Sequence, residues 1–135
     1  MNANHDEPIK MNAKHVEHIR DDFGITFSKV EDGEAQGELK LKAVHMNLFG
    51  IPYGGVLFHL ADLTSGQAFF SAGGHGVTVS ANADFMRSNR ATEKLICKAK
   101  TTRRGKRLFF VDARIEDDDG MELCKFSFIF SNIDS

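Results

Sequence analysis

The chain of 135 residues has no tryptophan, a single tyrosine and only two cysteines. Cys97 and Cys124 cannot staple a disulfide-rich scaffold. They read as buried thiols of a reducing compartment, so the cytoplasm is the expected location. Long hydrophobic runs are also missing. The longest apolar stretch, Val56 to Leu63, is broken by His59 and Asp62, far short of the roughly 20 apolar residues of a membrane span. The polar stretch Met1 to Lys14 has no signal-peptide core. Neither sign of charge dominates: the net charge of −2 excludes a globally basic nucleic-acid binder. A P-loop, a G-x-G-x-x-G turn and a G-x-S-x-G elbow are absent, which removes the common phosphate cradles and the serine-hydrolase nucleophile. His15 with His18, and His59 with Asp62, lack a third ligand at diagnostic spacing, so no metal site is expected.

What is present is enough for one domain spanning 1–135. Hydrophobic residues make up 41% of the chain, and a domain of this length can bury a normal core without disulfides. Twelve of those residues are phenylalanine. Phe has no polar handle, so this excess implies a thick dry interior or an apolar pocket.

Hydrophobic spacing gives the order of elements. Residues 1–14 have few apolar side chains and are expected to be frayed. Val16, Ile19 and Phe23 share a helical face over 15–23, which Gly24 ends. Ile25 to Val30 reads as a strand. Glu34 to Val44 alternates, with Ala35, Leu39, Leu41 and Ala43 on one face, as a half-exposed strand does. Val56 to Ala72 is apolar nearly all round, the mark of a buried helix. Four strands follow: Val77–Phe85 in strict alternation, Lys94–Thr102, Leu108–Ile115, and a last one carrying Cys124, Phe126, Phe128 and Phe130 on one face. Asp117 to Gly120 is a hairpin signal. A lone buried helix needs a sheet to cover it, and hairpin-linked strands can curl around it. The predicted fold class is therefore α+β, an antiparallel sheet wrapped on one central helix.

Three features could carry chemistry. Asp62 sits among Phe58, Leu60, Ala61, Leu63 and Phe69, and an unpaired carboxylate in such company is expensive. It is a candidate base or nucleophile, or else it caps a loop or pairs with a cation. Gly54 and Gly55 open the buried helix, where free N–H groups and the helix dipole suit an oxyanion. They could equally serve close packing. Gly54 and Asp62 are eight residues apart, about 12 Å along one side of a helix, so the two are not in contact and an extended substrate or an intervening group must bridge them. Third, Arg87 to Arg107 holds nine Lys and Arg against a single acid, Glu93. That strip could meet an anionic ligand, or could be a solvated hairpin face.

Residues 45–62, His45-Met-Asn47-Leu-Phe-Gly50-Ile-Pro-Tyr53-Gly54-Gly55-Val-Leu-Phe58-His-Leu60-Ala61-Asp62, closely resemble the H-x-N-x-x-G-x-x-H-G-G-x-x-F-x-L-A-D signature of hotdog-fold acyl-CoA thioesterases of the phenylacetic-acid (PaaI-like) type. Asp84-Phe85-Met86-Arg87-Ser88 resembles that family's D/N-F-L-R-P segment. The resemblance implies a hotdog fold and hydrolysis of an acyl-CoA, with an aryl or medium-chain acyl group, to a carboxylic acid and CoA. It implies Asp62 as catalytic carboxylate and Gly54 as oxyanion donor. Asn47 would orient substrate or water, and Thr78 would assist from a second subunit. No cofactor is implied beyond the CoA of the substrate. The implied assembly is a dimer with a shared active site, and from it a tetramer; nucleic acid and membrane are not partners. Tyr53, Gly55, Phe58 and Phe69 would contact substrate, and Arg87, Arg90, Arg103 and Arg104 the CoA phosphates. Tyr53 departs from the family's His: a phenol donates a hydrogen bond but, with a pKa near 10, is no base at neutral pH. Two rivals share these features. One is a non-catalytic acyl-CoA binder. The other is a hotdog hydratase, whose D-x-N-P-x-H pattern is not matched here.

Overall fold

The computed structural model describes residues 6–88 and 90–133. Helix α1 (Asp6–His18) continues into a π-helical turn, Ile19–Phe23. Strands β1 (Ile25–Glu31) and β2 (Glu34–Lys40) form a hairpin. A short 3-10 turn, Ala43–His45, leads to helix α2 (Gly54–Ser71). Strands β3 (Gly76–Phe85), β4 (Lys94–Arg104), β5 (Leu108–Glu116) and β6 (Glu122–Asn132) follow. All six strands make one antiparallel sheet in the order β1-β2-β4-β5-β6-β3. The sheet packs around α2, which is the hotdog architecture the sequence implied. Among the described residues, no helix is long and apolar enough to cross a membrane.

The period of two decides what meets the helix. Ala35 and Leu39 on β2, Leu95 and Cys97 on β4, Val111 and Ile115 on β5, and Phe126, Phe128 and Phe130 on β6 are all buried. At Gly37 helix and sheet lie so close that a Cβ would collide with the Thr64 hydroxyl of α2. Only glycine allows that approach. Phe69 stacks on Phe130 at 4.8 Å and meets Phe109 edge-on at 5.0 Å. Part of the phenylalanine excess is thus an aromatic layer between α2 and the sheet.

Three expectations need correction. The helix at the start of the chain begins at Asp6, not at residue 15; Pro8 in its first turn costs no helical hydrogen bond. Only residues 1–5 of the segment expected to fray lie outside the described residues. β2 stops at Lys40 rather than Val44 because the chain turns at Ala43–His45. Most consequential, β3 does not alternate strictly. Its register against β6 skips between Thr78, opposite Phe130, and Ser80, opposite Ile129. This bulge puts Thr78 on the same face as Ala81, Ala83 and Phe85, whose partners Phe128, Phe126 and Cys124 point at the helix. Bulges re-aim side chains in this way.

Candidate active site

The loop before α2 is built by Asn47. Its Oδ1 accepts from the N–H groups of Phe49 (2.9 Å) and Ile51 (3.3 Å), while its own N–H donates to the Ile51 carbonyl at 2.8 Å. Such Asx bonding folds a loop locally. Asn47 therefore spends its carbonyl oxygen on the loop itself. His45 supports the same loop: its Nδ1 accepts from the Lys42 N–H at 2.9 Å and its carbonyl accepts from the Tyr53 N–H at 3.0 Å. Burial, and then the Lys42 charge, lower the His45 pKa, which keeps the ring neutral and able to accept.

The loop delivers Tyr53 as the residue capping α2, with an extended backbone (φ −59, ψ 144) and no side-chain cap bond. The N–H groups of Gly54 and Gly55 precede the helix's own ladder and have no backbone acceptor among the described residues. No atom lies within 4 Å of where a Cβ on Gly55 would stand, and one on Gly54 would just touch Phe85. The end of β3 therefore flanks the start of α2. Tyr53 is half exposed.

Two turns further along α2 stands Asp62. The Thr78 hydroxyl donates to its Oδ1 at 2.9 Å, a contact within one chain that the β3 bulge makes possible. Asp62 is half-buried, and its Oδ2 has no hydrogen-bond partner among the described residues. It lies in a groove of about 470 Å³ between α1, α2 and the start of β3. Leu63, Gly66, Gln67 and Phe70 continue the floor along α2, and Met11 and Asn12 of α1 form the facing wall.

The structure separates several predicted residues. Phe69 lines the groove from its place in the aromatic layer. Phe58 packs edge-on against Phe126 and Phe128 instead, at 6.0 and 5.7 Å. The four arginines split between the two ends of the fold. Arg104 pairs with Phe109, Phe109 with Phe130, and Phe130 with Thr78, one continuous row across four strands. Arg103 beside it holds its guanidinium 5.8 Å from the Phe110 ring. Arg87 and Arg90 follow Phe85, at the opposite end, where Arg87 donates to the Glu122 carbonyl at 3.4 Å. Among the described residues, no group of three or more His, Cys, Asp or Glu could hold a metal ion.

Sequence reasoning missed the contribution of α1 and the groove residues Gln67 and Phe70. Gln67 carried a usable signal: it is an amide on a helix that is otherwise apolar nearly all round.

The sequence model of the thioesterase superfamily matches residues 49–124. A putative esterase of Archaeoglobus fulgidus is 30% identical over 77 residues, which are 57% of this chain and 50% of that protein. This chain thus spans about half the length of that curated relative. A hypothetical thioesterase of Streptococcus pneumoniae, solved with coenzyme A, is 25% identical, with 90% of this chain and 95% of that one covered and a TM-score of 0.81. The same protein was also solved with an aspartate and with a threonine replaced by alanine, sixteen positions apart, the separation of Asp62 and Thr78. The PaaI protein of the Escherichia coli phenylacetic acid degradation operon is 23% identical, with 92% and 90% covered and a TM-score of 0.83. At that identity the likeness is one of fold.

Proposed function

The chain belongs to the thioesterase superfamily, and we propose that it hydrolyses an acyl-CoA to a carboxylic acid and CoA. The observation that carries this reading is the Asp62–Thr78 pair, a carboxylate held by one oxygen at 2.9 Å in an otherwise largely apolar groove. Hydrolysis adds water across the C–S bond. A base takes the proton of the attacking water, charge develops on the carbonyl oxygen, and the CoA thiolate leaves and is protonated. Asp62 supplies the base, or attacks the carbonyl itself. The Gly54 N–H at the α2 N-terminus faces the developing oxyanion. The Tyr53 hydroxyl can add a second donor. The coenzyme A in the Streptococcus pneumoniae structure supports the substrate class.

Asp62 and Gly54 of one chain stand about 12 Å apart along α2, so the site takes its second half from another copy. β3 is an open edge of the sheet with Val77, Val79 and Phe85 more than half exposed, and such an edge invites pairing. Thr78 and Asp62 flank the start of β3, and Phe85 and Gly54 flank its end. A twofold antiparallel pairing of two β3 edges sets the start of one strand beside the end of the other. It thereby brings the Gly54 of one copy toward the Asp62 of its partner. The same pairing moves Arg87 and Arg90 of one copy toward Arg103 and Arg104 of the other, where their charges suit CoA phosphates. Two such dimers would make the tetramer.

A panel of aryl- and straight-chain acyl-CoAs with thiol detection tests the reading. Thiol release from at least one class is expected. Tight binding with no thiol released over hours would make the protein an acyl-CoA binder. Loss of the conjugated absorbance of crotonyl-CoA without thiol release would make it a hydratase.

A further inference from the structure

Helix α1 is tied to α2 by one reciprocal contact. The Asn12 amide donates to the Gln67 carbonyl oxygen at 3.1 Å, and the Gln67 amide donates back to Asn12 at 2.9 Å. Gln67 is only 5% exposed. A buried amide is costly without partners, and Asn12 is the partner that makes it tolerable. The pair lies in the same groove as Asp62, five residues on along α2, about 7.5 Å of helix. Leu63 and Phe70 are its apolar neighbours on the groove floor. The groove therefore holds both the carboxylate and a polar bar between two helices.

We propose that the Asn12–Gln67 pair is the length gauge for the acyl group, a specificity determinant that rests on the thioesterase reading of Asp62. A short acyl group fills the space between Asp62 and the pair and leaves both hydrogen bonds intact. A longer one has to pass between α1 and α2. It then separates the amides and leaves the buried Gln67 amide and the half-buried Asn12 amide against hydrocarbon. The unmade bonds penalise such a substrate by roughly tenfold to a hundredfold in kcat/KM.

The test is kcat/KM for acetyl-, hexanoyl-, decanoyl- and palmitoyl-CoA with the wild type, the Asn12→Ala variant and the Asn12→Ala/Gln67→Leu double variant. The double variant removes both amides together, so no polar group is stranded and the fold is kept; a melting curve checks this. Lys14→Ala, on the exposed side of α1, is the control. The expected result is that the wild type falls away at the longer chains, while the double variant raises the long-to-short ratio by about tenfold or more. The Lys14→Ala profile should stay as in the wild type. An unchanged ratio in both amide variants overturns the gauge and leaves the thioesterase reading standing, and so does an equal shift in Lys14→Ala. Absence of thiol release by the wild type with every acyl-CoA removes the thioesterase reading and the gauge with it.

Discussion

Asp62→Asn should lower kcat on the best acyl-CoA by about a hundredfold to ten-thousandfold, the usual worth of a positioned base. KM and melting temperature should barely move. Asn has the shape of Asp and keeps an oxygen able to accept from Thr78, whose hydroxyl lies 2.9 Å from Oδ1. The side chain is half-buried at a groove wall rather than deep in the core, so the fold loses little. What is lost is the ability to take a proton from water or to attack the carbonyl. Steady-state thiol release with isothermal binding of the acyl-CoA separates the two effects. An unchanged kcat would remove Asp62 from the chemistry.

Gly54→Pro should cost about a hundredfold to a thousandfold in kcat, the loss seen when one oxyanion donor is removed, with the melting temperature unchanged or slightly raised. Gly54 is the first residue of α2, the position where proline is most at home because its missing N–H has no partner in the helix. The preceding residue, Tyr53, has ψ 144, the extended conformation that a following proline demands. Space is available, since a Cβ here comes no closer than 3.7 Å to the Phe85 ring. Replacing glycine by proline also narrows the unfolded ensemble. A stable protein with a large kcat defect would thus isolate the backbone donor from any packing role of Gly54. Full activity would place the oxyanion elsewhere.

Much of the fold was legible because burial imposes a period. The alternation of Phe126, Phe128 and Phe130 gave β6, and the all-round apolar stretch gave α2, since each pattern fits one secondary structure with one buried side. What was illegible lay where the backbone breaks its period. The β3 bulge leaves no mark in a sequence that alternates through it, yet it decides that Thr78 faces Asp62. Helix α1 is polar for most of its length and is fastened by amide hydrogen bonds, so hydrophobic spacing could not find its start. The 45–62 motif pointed to candidate parts of a site, but not to the way Asn47 spends its carbonyl oxygen on its own loop. The basic strip looked continuous along the chain, whereas the sheet sends Arg87 and Arg103 to opposite ends.

The central claim is that each catalytic site combines Asp62 of one copy with Gly54 of another. Co-expression of Asp62→Asn and Gly54→Pro chains under separate tags, with purification through both, tests it directly. In such a mixed dimer one site carries both defects and the other carries neither. The account predicts thiol release restored to about half the wild-type rate per dimer, although each variant alone is nearly inactive. Mixed oligomers that stay as inactive as their parents would contradict it.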